Sequence, residues 1–137
     1  MARRELTNEE YGQLDKWRGL GRHVFKYYGG DEAVTPQALD DVFERWYDDG
    51  RAKVAPVDVA CALGTLLGDY LCQELQFTWG MMADDQGEDF CITAVNSWEA
   101  YPIVFVWKRV SPETLGEEFG FFKGACDLFN EKVPARS

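Results

Sequence analysis

The hydrophobic positions of this chain follow a helical period over its first half and a strand period after it. Apolar residues recur three and four positions apart in three early segments, which predicts three amphipathic helices. The first begins at the capping box Thr7–Glu10, the second at Thr35-Pro36, and the third runs from Pro56 to about Gln76. Gly64 and Gly68 give the third helix a side on which a neighbouring backbone or ring can pack closely.

Beyond the third helix, apolar and polar residues alternate in short segments. Residues 77–83, 90–95 and 103–110 are therefore predicted strands, the first two joined by a turn around Gln86-Gly87. Three consecutive strands imply an antiparallel meander with one face against the helices. Ser111-Pro112-Glu113 then predicts the start of a closing helix. We predict an α+β fold with three N-terminal helices, a three-stranded antiparallel meander and a C-terminal helix.

The length of 137 residues suits one domain with a single core. We expect residues 1–137 to form that domain. Residues 56–133 would supply a helix–meander–helix core, and residues 1–55 a helical extension packed on it.

Four short motifs occur in a fixed order along the second half of the chain. They are Gly68-Asp69-Tyr70-Leu71, Phe77-Thr78-Trp79, the acidic run Asp84–Asp89, and Pro102 followed by Lys108-Arg109. This order, over about residues 62–126, resembles a bacterial family known as domain of unknown function 3806. The resemblance implies an α+β domain and carries no activity with it, because a fold does not confer a function.

The formal net charge of -10 is concentrated in the middle of the chain. Residues 31–102 contain fifteen acidic and three basic side chains, whereas residues 103–137 contain five of each. A negative field repels nucleic acid and anionic membranes and speeds the encounter with basic partners. We therefore expect neither nucleic acid nor membrane as a partner. Ordinary solubility is the simpler explanation of the acidity.

The residue types that hold metals or cofactors are scattered. The four cysteines (Cys61, Cys72, Cys91 and Cys126) stand singly, and the one histidine, His23, is remote from them in sequence, so no zinc site is predicted. We expect free, reduced thiols and no cofactor. Met1–Glu10 contains no apolar stretch typical of a signal peptide, and no apolar run is long enough to span a bilayer. A cytoplasmic protein is the expectation.

The candidate functional residues are the hairpin acids and one loop tryptophan. Asp84, Asp85, Glu88 and Asp89 place four carboxylates within six residues, but without the alternating spacing of a calcium loop. A solvated turn is the simpler interpretation, and a surface that contacts a basic partner is the functional one. Trp98, in the following loop, either anchors that contact or packs over the sheet edge.

Lys108 and Arg109 end the last predicted strand, so their side chains should point to opposite faces. We expect one of them to pair with Asp84 or Asp89, and the other to lie near Glu113. Anion binding is the alternative to such structural ion pairs.

The sequence contains no Gly-x-Ser-x-Gly, glycine-rich phosphate-loop or His-Glu-x-x-His motif, and we expect a non-enzymatic protein, although carboxylate or thiol chemistry would need none of these motifs. The leading hypothesis is a small acidic interaction protein, in its most concrete form an immunity or antitoxin-type protein that masks a basic toxin surface. A second hypothesis is a small-molecule or peptide sensor with a pocket between helix 56–76 and the sheet. A third is an unrecognised enzyme that uses the hairpin carboxylates.

Overall fold

The structure is a computed structural model that describes residues 2–30 and 33–133, and over those residues it joins a four-stranded sheet to five α-helices. The strands are β1 (Ala2–Arg4), β2 (Thr78–Asp84), β3 (Gly87–Thr93) and β4 (Glu99–Ala100). The helices are α1 (Asn8–Tyr27), α2 (Pro36–Arg45), α3 (Pro56–Leu75), α4 (Pro102–Val110) and α5 (Phe121–Lys132). A π-helical turn, Trp46–Gly50, extends α2. The predicted α+β class is confirmed.

The first two helix starts are set by the side chains that the sequence predicts. Thr7 accepts a hydrogen bond from the Glu10 backbone N–H at 3.2 Å, and the Glu10 carboxylate accepts one from the Thr7 N–H at 2.9 Å. Thr35 accepts from the Ala38 N–H at 3.1 Å. These bonds satisfy amide groups that have no partner inside the helix.

The sheet is antiparallel, as predicted, but its composition differs from the prediction. Its strand order is β1-β2-β3-β4, and β2 and β3 form a hairpin with Asp84 opposite Gly87. The third strand of the meander is only the two-residue β4, which pairs with the end of β3. The extra strand β1 pairs with the other edge of β2. Its Ala-Arg-Arg sequence contains no apolar alternation that could have revealed it.

The prediction of a strand over residues 103–110 is wrong, because this segment is helix α4. The β-branched and aromatic residues of the segment favour a strand by local propensity. The helix instead buries Pro102, Val106 and Val110, which are four residues apart and share one helix face. Packing against α3 therefore favours the helix over the strand for residues 103–110. A Cβ atom on Gly64 of α3 would lie 2.6 Å from the Ile103 Cα, so glycine is needed for this approach.

The closing helix begins at Phe121 and not at the predicted Ser111, because turns occupy residues 111–120. Gly116 and Gly120 have positive φ values of 89° and 72° there, a conformation that interrupts a helix. The start of α5 is capped from a distance. The buried carboxylate of Asp40, on α2, accepts hydrogen bonds from the N–H groups of Phe122 at 2.9 Å and Lys123 at 3.0 Å.

The core forms where α3 meets the other helices and the sheet. Its fully buried side chains include Trp46 and Phe43 from the α2 region, Leu63 and Leu67 from α3, and Phe122 from α5. The predicted burial of the third helix is therefore confirmed. The four cysteines are free; Cys91 and Cys126 are buried, and the other two are partly exposed.

Trp79 of β2 lies across Gly68 of α3, and this contact fixes the sheet against the helices. A Cβ atom on Gly68 would overlap the Trp79 ring and approach Pro102 Cγ to 3.1 Å. The Trp79 indole N–H donates a hydrogen bond to Asp69 Oδ1 at 3.0 Å. Arg18 of α1 donates to both Asp69 oxygens, which raises the pKa of the Arg18 guanidinium. Helices α1, α3 and α4 and strand β2 therefore meet around Gly68 and Asp69.

Replacing Gly68 with alanine should lower the free energy of unfolding by about 3 kcal/mol, because a methyl group has no room beneath Trp79. Gly19→Ala is the matched control, since Gly19 is also inside a helix but has no atom within 4 Å of the position that its methyl group would take. That change should raise the free energy of unfolding by about 0.5–1 kcal/mol. Urea titrations of both variants measure the difference, and equal effects would contradict the close contact.

Candidate functional site

A cavity of about 250 Å³ lies where β4, α3, α4 and α5 meet. Apolar side chains from all four elements form most of its wall: Leu67 and Leu71, Ala100, Val104 and Phe105, and Phe129. Its polar groups are few and come from Glu99, Tyr101, Lys108 and Arg109. A concave, mostly apolar space with a few polar groups is the usual form of a small-molecule site.

The cavity exists because of how α4 leaves the sheet. One residue, Tyr101, separates β4 from α4, so the chain turns sharply at the sheet edge. The glycines of α3 let Pro102 and Ile103 approach closely. Val104 and Lys108, which are one helical turn apart, then line the space beside that contact.

Glu99 lies in β4 at the border of the cavity. It stands opposite Thr93 in the sheet, so its side chain leaves the sheet on the face of Thr93 and Arg3, whereas Ala100 faces α3. The Oε2 atom of Glu99 is buried with no hydrogen-bond partner among the described residues. Burial raises the pKa of the neighbouring Tyr101 hydroxyl, and the Glu99 charge raises it further. Most buried polar atoms in proteins are satisfied, so this unpartnered oxygen lowers the stability of the fold.

The two basic residues of the cavity differ in what they contact. Arg109 donates to the Phe105 carbonyl at 3.0 Å and to the Glu118 carboxylate at 3.3 Å, and its guanidinium lies 4.0 Å from the Phe105 ring centroid. The Lys108 side chain is exposed, and its ammonium has no hydrogen bond or ion pair within residues 2–30 and 33–133. Lys108 is therefore available to a ligand, whereas Arg109 is held by the protein.

The arrangement predicted for this basic pair is wrong. Both residues lie in the last turn of a helix, where cations interact favourably with the helix dipole, and not on opposite faces of a strand. Arg109 forms an ion pair, as expected, but with Glu118 in place of a hairpin acid or Glu113.

The hairpin acids Asp84, Asp85, Glu88 and Asp89 are all exposed, as predicted. Glu88 accepts a hydrogen bond from Arg4 Nε at 2.9 Å, which ties β3 to β1. Asp84 accepts one from the Gln86 N–H at 2.8 Å and so stabilises the turn. These contacts leave Asp85 and Asp89 without a hydrogen bond or ion pair in the part of the chain that the structure describes.

Trp98 is partly buried and packs against the core, so the structure favours the second of its two predicted roles. Its ring meets Phe129 at 5.0 Å and Phe77 at 6.4 Å, both edge to face. It follows the end of β3 that is opposite the hairpin turn, about 20 Å away along the strand. Trp98 and the acidic turn therefore do not form one continuous surface.

The sequence reasoning did not identify Glu99 as a site residue. Its neighbours form a loop with no recognisable motif, and only the tertiary fold buries its carboxylate. Lys108 was noticed, but as one of two cations on an incorrectly predicted strand.

Two further features were sought among the described residues: metal-binding clusters and helices that could span a membrane. Within the described residues, no cluster of three or more histidine, cysteine, aspartate or glutamate side chains has the geometry to bind a metal ion. No helix among them combines the length and apolar character required to span a bilayer.

A second unpartnered atom lies outside the lining of this cavity. Tyr28 is 7% exposed, and its hydroxyl has no hydrogen-bond partner among the described residues. The clefts beside it contain charges of both signs, from Lys53, Arg45 and Asp49, and they indicate no single ligand.

Comparisons with known proteins identify a family and a fold. The family model described as "Domain of unknown function (DUF3806)" matches residues 41–122, more than half of the chain. A crystal structure of a Bacteroides thetaiotaomicron VPI-5482 protein, determined at 1.50 Å resolution, is similar with a TM-score of 0.67 and 14% sequence identity. The similarity covers 93% of this chain and 48% of the other, so this chain spans about half of that protein's length. No curated protein matches the chain significantly.

Replacing Glu99 with glutamine should raise the free energy of unfolding of the ligand-free protein by about 1 kcal/mol, because it removes a partly buried charge that has one oxygen unpartnered. Glu117→Gln, on an exposed side chain that does not line the cavity, should leave the stability unchanged. Urea titrations at pH 7 compare the two. A loss of stability in Glu99→Gln would mean that the carboxylate serves the fold.

Proposed function

The chain belongs to the DUF3806 family, which has no assigned activity, and we propose that this protein is a non-enzymatic module that binds a small ligand in the cavity between α3, β4, α4 and α5. One observation carries the proposal. The cavity is concave and mostly apolar, and its lining includes Lys108, whose ammonium has no hydrogen bond or ion pair with a described residue.

The chemistry of the wall defines what a ligand must offer. Leucine, valine and phenylalanine side chains favour an apolar body, because apolar surface gains free energy when it leaves water. An acceptor on that body would receive a hydrogen bond from the Lys108 ammonium, and an acceptor that carries negative charge would do so most strongly. The fit of a ligand therefore improves as it combines both features.

The position of the cavity suits a sensor. A ligand held there would contact α3, α4 and α5 together, and binding to the folded state raises its stability by mass action. Helix α4 leaves the sheet through Tyr101 alone, so a ligand beside Tyr101 and Val104 would restrain its position relative to β4.

A probe with an apolar body and a carboxylate group tests this proposal. Isovalerate, titrated into the ¹⁵N-labelled protein, should shift the backbone amide signals of residues 99–101 and 103–108. Val104→Phe should weaken the binding about tenfold or more, because the larger ring occupies the cavity and excludes the alkyl chain. Val57→Phe is the matched control, since Val57 is 52% exposed and does not line the cavity.

The outcome of this titration separates a site from non-specific contact. Shifts confined to the cavity residues, lost in Val104→Phe and kept in Val57→Phe, support a ligand site. Shifts spread over the exposed apolar side chains, or equal in both variants, would refute it.

An acidic interaction surface is the second candidate function, favoured by the exposure of all four hairpin acids. A basic partner, such as a toxin that this protein would mask, would meet the turn first because it projects from the sheet as a two-residue hairpin. The packing of Trp98 against Phe129 leaves such a contact without its expected aromatic anchor, so the contact would depend mainly on charge.

Charge reversal at the hairpin tests this second candidate. Lysine at Asp84, Asp85, Glu88 and Asp89 should slow association with a basic partner isolated from the source organism. The effect should be larger at low salt, since the Debye length is about 30 Å at 0.01 M and about 8 Å at physiological ionic strength. Lysine at four other exposed acids is the control for net charge: Glu5, Glu113, Glu117 and Glu131. Equal association rates for both variants would remove the hairpin from the interaction.

A further inference from the structure

Arg109, the second cation in the cavity lining, is fixed in position but does not use all of its hydrogen-bond donors. Its guanidinium donates from Nη1 to the Phe105 carbonyl at 3.0 Å, and it lies 4.0 Å from the Phe105 ring centroid and 5.6 Å from that of Phe121. The Nη2 donors have no partner among the described residues. The inference drawn from this residue rests on the proposed function, because it concerns the same site.

The remaining partner of the guanidinium, Glu118, holds it weakly. The Glu118 Oε1 atom accepts from Arg109 Nε at 3.3 Å, which is longer than most N–H···O bonds, and the Glu118 side chain is 54% exposed. Ion pairs this open to water contribute about 1 kcal/mol or less, because water screens both charges. The Phe105 carbonyl and the two aromatic rings would therefore keep the guanidinium in place if Glu118 left it.

Glu118 contacts the edge of the guanidinium that a ligand carboxylate would use. The Nε and Nη2 donors of an arginine point in nearly parallel directions, so this edge matches the two oxygens of a carboxylate. Glu118 uses only the Nε half of the edge. A carboxylate that reached the same edge from the cavity would form two charge-assisted hydrogen bonds in place of the single long one.

We propose that the cavity binds a short apolar carboxylate whose charged group takes the Nε–Nη2 edge of Arg109 in exchange for Glu118. The apolar body would lie against the leucines of α3 and the Phe129 ring, and Lys108 would contribute a second, water-exposed charge. Glu118 is thus an internal competitor of the ligand. It belongs to the turns of residues 111–120 that precede α5, so the exchange releases a contact between α4 and this segment.

Removing the competitor tests the exchange. Isovalerate is titrated into the ¹⁵N-labelled wild-type protein, Glu118→Gln and Glu117→Gln, and Kd is obtained from the amide signals of residues 103–108. Glu118→Gln should lower Kd about threefold, because the ligand no longer displaces an ion pair. Glu117→Gln is the matched control, since it removes the same charge from the neighbouring exposed position, and it should leave Kd unchanged.

Variants of Arg109 show whether the effect passes through the guanidinium. Arg109→Met keeps an apolar chain over Phe105 but loses the donors, and it should raise Kd about tenfold. In this background Glu118→Gln should no longer change Kd, which completes a double-mutant cycle between the two residues. Because the cycle compares ratios of Kd, a loss of stability shared by both Arg109→Met variants does not imitate the result.

The Glu118 carboxylate reports the exchange directly. Its ¹³C signal in the wild-type protein should move toward the position of a solvated glutamate as isovalerate binds, because the carboxylate leaves Arg109. The carboxylate signal of Glu117 should stay in place.

The failures of the two proposals are distinguishable. If isovalerate binds with shifts that are lost in Val104→Phe, but Glu118→Gln and Glu117→Gln have equal Kd values or the Glu118 signal does not move, the exchange is overturned and the ligand site remains. Tighter binding in Glu118→Gln that persists in the Arg109→Met background would assign the effect to overall charge and would also overturn the exchange. No binding of isovalerate to any of these proteins would overturn the proposed function together with this inference.

Discussion

The arrangement of this protein depends on the contact between the Trp79 ring and the bare backbone of Gly68. That contact sets the distance between β2 and α3, and the indole N–H then meets Asp69 on the same helix. Asp69 also holds Arg18 of α1, so one carboxylate orients two further elements. A larger side chain at position 68 would push the Trp79 ring, and with it β2, away from α3. The restriction is steric, which explains why a glycine and a tryptophan stand among the motifs that link this chain to its family.

The same side of α3 positions α4 and thereby creates the cavity. Pro102 approaches Gly68, and Ile103 approaches Gly64, so the start of α4 lies directly against the backbone of α3. The rest of the space beside α4 is bounded by β4 and by Phe129 of α5. The space opens to solvent, because Lys108 is exposed and Val104 and Phe105 are only partly buried. A ligand with an apolar body would remove these side chains from water.

The sequence predicted the positions of some candidate site residues and not of others. The exposure of the hairpin acids follows from their position in a turn, and the sequence predicted it. The sequence did not predict that Glu99 and Lys108 border one cavity, since they are nine positions apart and their relation depends on whether the intervening segment is helical. As a strand, that segment would have spread them far apart; as a helix, it brings both to one cavity.

The sequence by itself determined the elements whose signals are local. The capping side chains Thr7 and Thr35 set two helix starts, the glycine-lined third helix is buried, and the turn before Gly87 joins two antiparallel strands. Only the tertiary structure decided the state of residues 103–110, the pairing of β1 and the capping of α5 by Asp40. The physical reason is the same in each case. A free energy that comes from packing against, or hydrogen bonding to, a distant part of the chain exceeds the small local preference, and no local pattern records it.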